Sequence, residues 1–230
     1  MVAGDPVPLG LFAFGATTLV LSCYTAGLPP SDPLNLITGM ALFHGGLLQL
    51  LVGICEMFRH NSLSATIFTS FGSYWLAYAS LQIPSFGVAA AYSHLDTAVF
   101  SHAVAISLAA WAFWTLLLLI SSLGSSPPGL IILFCSALLT FILLSASSFV
   151  GVAQSVILYR MAGWSGILTA ITAMGNGMHI LLASMEPFPQ IGDSAPKQDA
   201  FPPGGEFNPK QETSSMGAPA IGSAPVYSPV

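Results

Sequence analysis

Apolar residues run almost unbroken through six stretches of this chain, at about 9–27, 34–58, 63–83, 99–123, 130–154 and 163–185. Each is close to the roughly 20 residues a helix needs to cross a hydrocarbon layer about 30 Å thick. The runs are continuous rather than alternating with period two, so they predict helices and not the strands of an outer-membrane barrel. Polar positions gather in separators such as LPPSDP, RHNS, GSSPPG and SVILYRMA. Pro29, Pro30, Pro33, Pro84, Pro127 and Pro128 fall at or beside these boundaries, where proline opens or closes a helix. The pattern predicts an all-α membrane protein, a six-transmembrane-helix bundle over residues 9–186. A cytoplasmic lead-in over 1–8 precedes it, and a disordered Pro, Gly, Ser and Gln-rich tail over 187–230 follows it. An even span number puts both termini on one side. With that side cytoplasmic, Arg59, Lys197 and Lys210 lie inside and Arg160 outside, as the positive-inside rule prefers.

Composition narrows the classes further. Only 6% of the 230 residues are charged, against about 25% in an ordinary soluble domain. Four basic residues in all cannot form the clustered footprint that nucleic acid requires. Cys23, Cys55 and Cys135 each lie in an apolar run and read as buried small hydrophobes, not a disulfide framework. The first run has no basic flank and no small-residue cleavage site after it, so it reads as a retained helix rather than a secretory signal.

Small residues recur at helical spacing, which in lipid marks close helix packing. Gly39, Gly46 and Gly53 form one such stripe, Thr66, Ser70, Ser73, Ala77 and Ser80 a second, and Gly163, Gly166, Ala170, Ala173 and Gly177 a third. Each reads first as a packing seam. The hydroxyl stripe at 66–80 is also the best candidate to line a polar passage.

Ionisable residues at membrane depth are functional candidates by default. Glu56 lies three residues before Arg59, so it reads as an interfacial ion pair or as a proton or solute contact. His44 and Gln49 lie mid-span beside Gly45 and Gly46; His44 is either a satisfied buried histidine or a pore-lining, proton-handling group. His94, Asp96 and His102 lack a convincing third metal ligand, and no metal or cofactor is expected. The GWSG stretch at 163–166 resembles the motif of intramembrane serine proteases. Its one downstream histidine, His179, lies about 21 Å along the same helix from Ser165, beyond the reach of a general base, so no enzyme is expected.

The entrance to the first span, GDPVPLGLFAFGATT, is the most unusual segment. Pro6 and Pro8 predict a stiff extended lead-in, with Asp5 free to cap N–H groups and Leu9, Gly10 and Leu11 entering the helix. DPVPLGLFAFGATT also resembles the Asn-Pro-Ala-Pro-Leu-Gly-Leu signature of the acetate uptake transporter family, which includes bacterial acetate–succinate permeases and fungal acetate or ammonia-export proteins. FHGGLLQLLVGICE, FTSFGSYWL and the AGW at 162–164 resemble the family's second, third and sixth helices in the same order. The resemblance covers roughly residues 4–186. It implies a homo-hexamer of protomers in membrane lipid, each with its own pore, moving acetate by proton symport or channel-like passage. It further implies a constriction of Phe14, Phe71 and Ala137, where tyrosine and leucine are usual at the last two positions. His44 stands for a tyrosine, Asp5 for the leading asparagine, and Ser148 for an asparagine. The expected solute is acetate or a similar small weak acid with a proton, met by Ser70, Ser73, His44, Gln49, Glu56 and Ser148. Ammonia export and a non-transporting scaffold are the alternatives. The plasma membrane is expected, with a vacuolar or other internal membrane as the alternative.

Overall fold

A computed structural model describes residues 4–28, 35–124, 126–151 and 155–185. The sequence boundaries at Pro29, Pro30, Pro33 and Gln154 and the tail over 187–230 lie outside the described residues.

Helix α1 spans Val7–Ala26 and ends on Gly27, whose left-handed conformation (φ 79°) turns its N–H back to the Cys23 and Tyr24 carbonyls. The next helix has three parts: α2 (Asn35–Gly39), a π-helical stretch (Met40–Leu48) and α3 (Gln49–Phe58). After a turn through His60 (φ 58°), α4 runs over Ser62–Gln82, its N-terminus capped by the Asn61 side chain. A 3-10 turn (Pro84–Phe86) and the short α5 (Val88–Ala91) lead to α6 (Thr97–Ser122), which Asp96 caps through the Ala98 N–H at 3.0 Å. Pro128 opens α7 (Pro128–Val150), and α8 covers Val156–Ser184.

The chain is a multi-pass membrane protein. Five helices are long and apolar enough to cross a membrane: Val7–Thr25, Leu36–Phe58, Ala98–Ser122, Pro128–Val150 and Val156–Ser184. The stretch at 63–83, expected as a sixth span, is the 21-residue helix α4. Its Ser and Thr content keeps it below the hydropathy of the others. Three local expectations are corrected. Pro6 has helical dihedrals (φ −81°, ψ −10°) and α1 already begins at Val7, so there is no extended lead-in. Pro8 fits in the first turn because the N–H it lacks would have no helical partner there. The SVILYRMA separator is largely the first turns of α8.

Helix α1 packs against α8, α8 against α7 and α7 against α6, while α3 pairs with α4. Missing side chains make the closest crossings possible. A Cβ on Gly163 would collide with the Ala26 and Thr25 backbone of α1, and one on Gly72 would lie 2.7 Å from the Leu50 N. Gly163→Val is therefore expected to lower the thermal unfolding midpoint in detergent by an overpacking cost of about 1–3 kcal/mol. Gly175→Val, on the same helix with nothing within 4 Å, should leave the midpoint unmoved; equal behaviour of the two would refute this account of the α1–α8 seam. Hydroxyls add interhelical bonds, Ser145 donating to the Ala105 carbonyl at 2.8 Å and Ser165 to the Ser136 carbonyl at 3.0 Å.

The π-helical turn has a local cause. A Cβ on Gly46 would approach the Ala41 carbonyl, five residues back, to 2.5 Å, and one on Gly45 would meet Thr17 and Trp75. Cys55 and Cys135 face outward and Cys23 is half-buried, so the expectation of three buried cysteines does not hold. Sulfur on an apolar helix can equally face the hydrocarbon.

Candidate functional site

Three cavities follow one another through the bundle. The smallest, about 10 Å³, is lined by Leu11, Phe14, Gln49, Ile67, Phe68, Phe71, Leu130, Leu133 and Phe134. A middle cavity of about 40 Å³ shares Phe14 with it and adds Thr18, Trp75, Ala137, Phe141 and Thr169 among others. A large cavity of about 640 Å³ shares Leu21, Thr25, Tyr74 and Leu144 with the middle one and extends to Tyr92, Phe100, Ser148 and Tyr159. The lining climbs α1 from Leu11 to Thr25, α4 from Ile67 to Gln82 and α7 from Leu130 to Ser148, and it descends α8 from Thr169 to Tyr159. Helices α1, α4 and α7 therefore run in one sense and α8 in the other.

Aromatic rings divide the series. Phe14 and Phe71 meet edge to face with centroids 5.1 Å apart. Phe71 is stacked on Phe141 at 6.4 Å, and Tyr74 touches Trp111 at 4.9 Å and Phe141 at 5.4 Å. Tyr74, Trp111 and Phe141 escaped the sequence reading. Two signals were available: Tyr74 follows Phe71 by three residues and Phe141 follows Ala137 by four, so each pair shares a helix face. Ala137 lines the middle cavity beside Phe14 and is 3% exposed.

The other sequence candidates scatter. Gln49 is fully buried, lines the smallest cavity, and has no hydrogen-bond partner for either amide atom. Ser148 lines the large cavity. Glu56 is fully buried but lines none of these cavities; its carboxylate pairs with Arg59 at 2.9 Å and accepts from the Asn61 amide. Arg59 also donates to the Gly4 carbonyl at 3.2 Å and faces Asp5 at 3.8 Å, while Asp5 accepts from the Val7 N–H at 3.1 Å. The lead-in is thereby pinned to the end of α3. Pro8 and Gly10 are buried and Leu9 faces outward; a Cβ on Gly10 would meet the Phe68 ring at 2.6 Å. His44 is half-buried and lines none of the three cavities.

The hydroxyl stripe of α4 overturns its expected role in part. Thr66 and Ser73 face outward and Ser70 is half-buried, while the buried face of the helix carries Ala65, Phe68, Phe71, Gly72, Trp75 and Ala79. Thr66, Ser73 and Ser80 donate to carbonyls three or four residues back at 2.6–2.8 Å, and Ser70 donates to Thr66. Hydroxyls that satisfy their own helix need not point at a passage. Only Ala77 and Ser80 of the stripe reach a cavity, the large one. Ser165, the serine of the protease-like motif, donates to a backbone carbonyl of α7.

Comparison with known proteins identifies relatives. A family model described as the GPR1/FUN34/yaaH family matches residues 2–192. "Ammonia transport outward protein 2" of Saccharomyces cerevisiae is 35% identical over 75% of this chain, which spans 59% of that protein's length. "Succinate-acetate/proton symporter SatP" of Escherichia coli is 31% identical over 74% of this chain and 84% of its own. The solved "Structure of the bacterial acetate channel SatP" superposes with a TM-score of 0.67 at 29% identity, covering 79% of this chain and 93% of that one.

Proposed function

Because this chain belongs to the GPR1/FUN34/yaaH family, we propose that it is a transporter, not an enzyme, that passes acetate through the helix bundle. The observation that carries this reading is the run of three cavities whose lining ascends α1, α4 and α7 together. That common sense is what α4 would have if it crossed the bilayer as the sixth span. The route covers about 21 Å along α1 from Leu11 to Thr25 at 1.5 Å per residue.

The rings of Phe14 and Phe71, with Ala137 beside them, form the constriction. A bare carboxylate in such a place is costly unless donors replace its water. Gln49 below the rings and Ser148 in the large cavity supply such groups, with no Lys or Arg among the lining residues to trap an anion. Acetate then moves either as the neutral acid or with a proton. Hexameric assembly is part of the proposal. The outward stripe of Thr66, Ser70 and Ser73 gives α4 a small-residue face on which a neighbouring protomer can pack closely.

The test is influx of radiolabelled acetate into vesicles carrying the full chain, expected well above empty vesicles; equal influx would remove the proposal. The yeast relative's name favours one second reading, outward passage of ammonia. A neutral base also suits apolar rings. An internal pH jump on adding ammonium, with none on adding acetate, would decide for it.

A further inference from the structure

Buried polar side-chain atoms almost always find a partner, and each exception asks for an occupant. Among the described residues, Thr18 Oγ1 and Trp75 Nε1 are two such exceptions, and both residues line the middle cavity. On α1, the flanking Thr17 and Thr25 each donate to the carbonyl four residues back at 2.9 Å; Thr18 does not. An indole N–H can only donate, so it needs an acceptor. Thr25, Thr140 and Thr169 line the same cavity, but their hydroxyl protons are committed, to Leu21 O, Ser136 O and the Ser136–Ser165 pair.

The surroundings narrow what can sit there. Phe14, Ala137, Phe141 and Leu144 make an apolar wall, and no charged side chain lines the cavity. Its 40 Å³ admits only a few water-sized spheres at roughly 10–15 Å³ each. Two unengaged donors, an apolar wall and little room describe a small monocarboxylate. Its oxygens accept from Trp75 and Thr18, and its short hydrocarbon end lies against Phe14 and Ala137. A four-carbon dicarboxylate would leave its second carboxyl against that wall without a donor.

Resting on the transport reading above, we propose that Trp75 Nε1–H and the Thr18 hydroxyl form a single-occupancy station for a small monocarboxylate beside the Phe14–Phe71 pair, and that this station selects against dicarboxylates. The probe is acetate, with succinate as comparison, added to the full chain in lipid nanodiscs and followed by saturation-transfer NMR alongside vesicle influx. Trp75→Phe and Thr18→Val are each expected to weaken acetate binding by about tenfold, the usual order for a lost hydrogen bond to a charged group. Thr18→Ser should keep wild-type binding, which a purely structural role for the threonine methyl would not predict. Succinate should give no transfer signal. Wild-type binding and influx in both donor-deleting variants would overturn the station and leave acetate transport standing. Acetate bound through these two residues without influx above empty vesicles would overturn transport and leave the station standing. Equal saturation transfer to succinate and acetate would overturn the claimed selection.

Discussion

Replacing Phe14 with alanine is expected to raise acetate influx by about tenfold, the change produced by some 1.4 kcal/mol off the barrier. The ring it removes lies 5.1 Å from that of Phe71 and is the one residue shared by the two smaller cavities. Without it those cavities merge, and discrimination by solute length should weaken as well. Competition of acetate influx by formate, propionate and succinate measures this. A variant that reaches the membrane, unfolds near the wild-type midpoint and keeps both the rate and the competition ratios would put the constriction elsewhere.

The opposite change should close the same route. Ala137→Phe places a ring in a 40 Å³ cavity already bounded by Phe14 and Phe141, and acetate influx is expected to fall at least tenfold. Overpacking of this kind costs about 1–3 kcal/mol in stability, so a folded but blocked protein is the expected product. Adding Phe141→Ala one turn along should restore part of the flux. Full flux in the single variant would show that solute does not pass residue 137.

These two residues show how far the sequence could be read. Hydropathy located every long helix, because the need to bury backbone polar groups in lipid leaves little alternative to helices. It could not say which face of α4 turns inward. Ser70 and Ser73 look like pore groups in a linear string, but serine and threonine can bond back to their own helix and then tolerate an outward position. The Phe14–Phe71 contact was accessible through resemblance, whereas Trp111 and Phe141 were not, since their roles arise only when α4, α6 and α7 converge. Thr18 lies in the opening motif, yet what distinguishes it from Thr17 is a missing bond that no residue pattern encodes.

The wide turns of Met40–Leu48 make this stretch intolerant of shortening. Its i→i+5 bonds enclose one residue more than those of an α-helix. Deleting any single residue there would let the segment rewind, swinging everything up to Phe58 by about 100°. Gln49 would leave its cavity and Gly53 would lose its seat against the Thr69 backbone. An in-frame loss of one codon at this point, invisible to hydropathy and to span number, should be as damaging as a truncation.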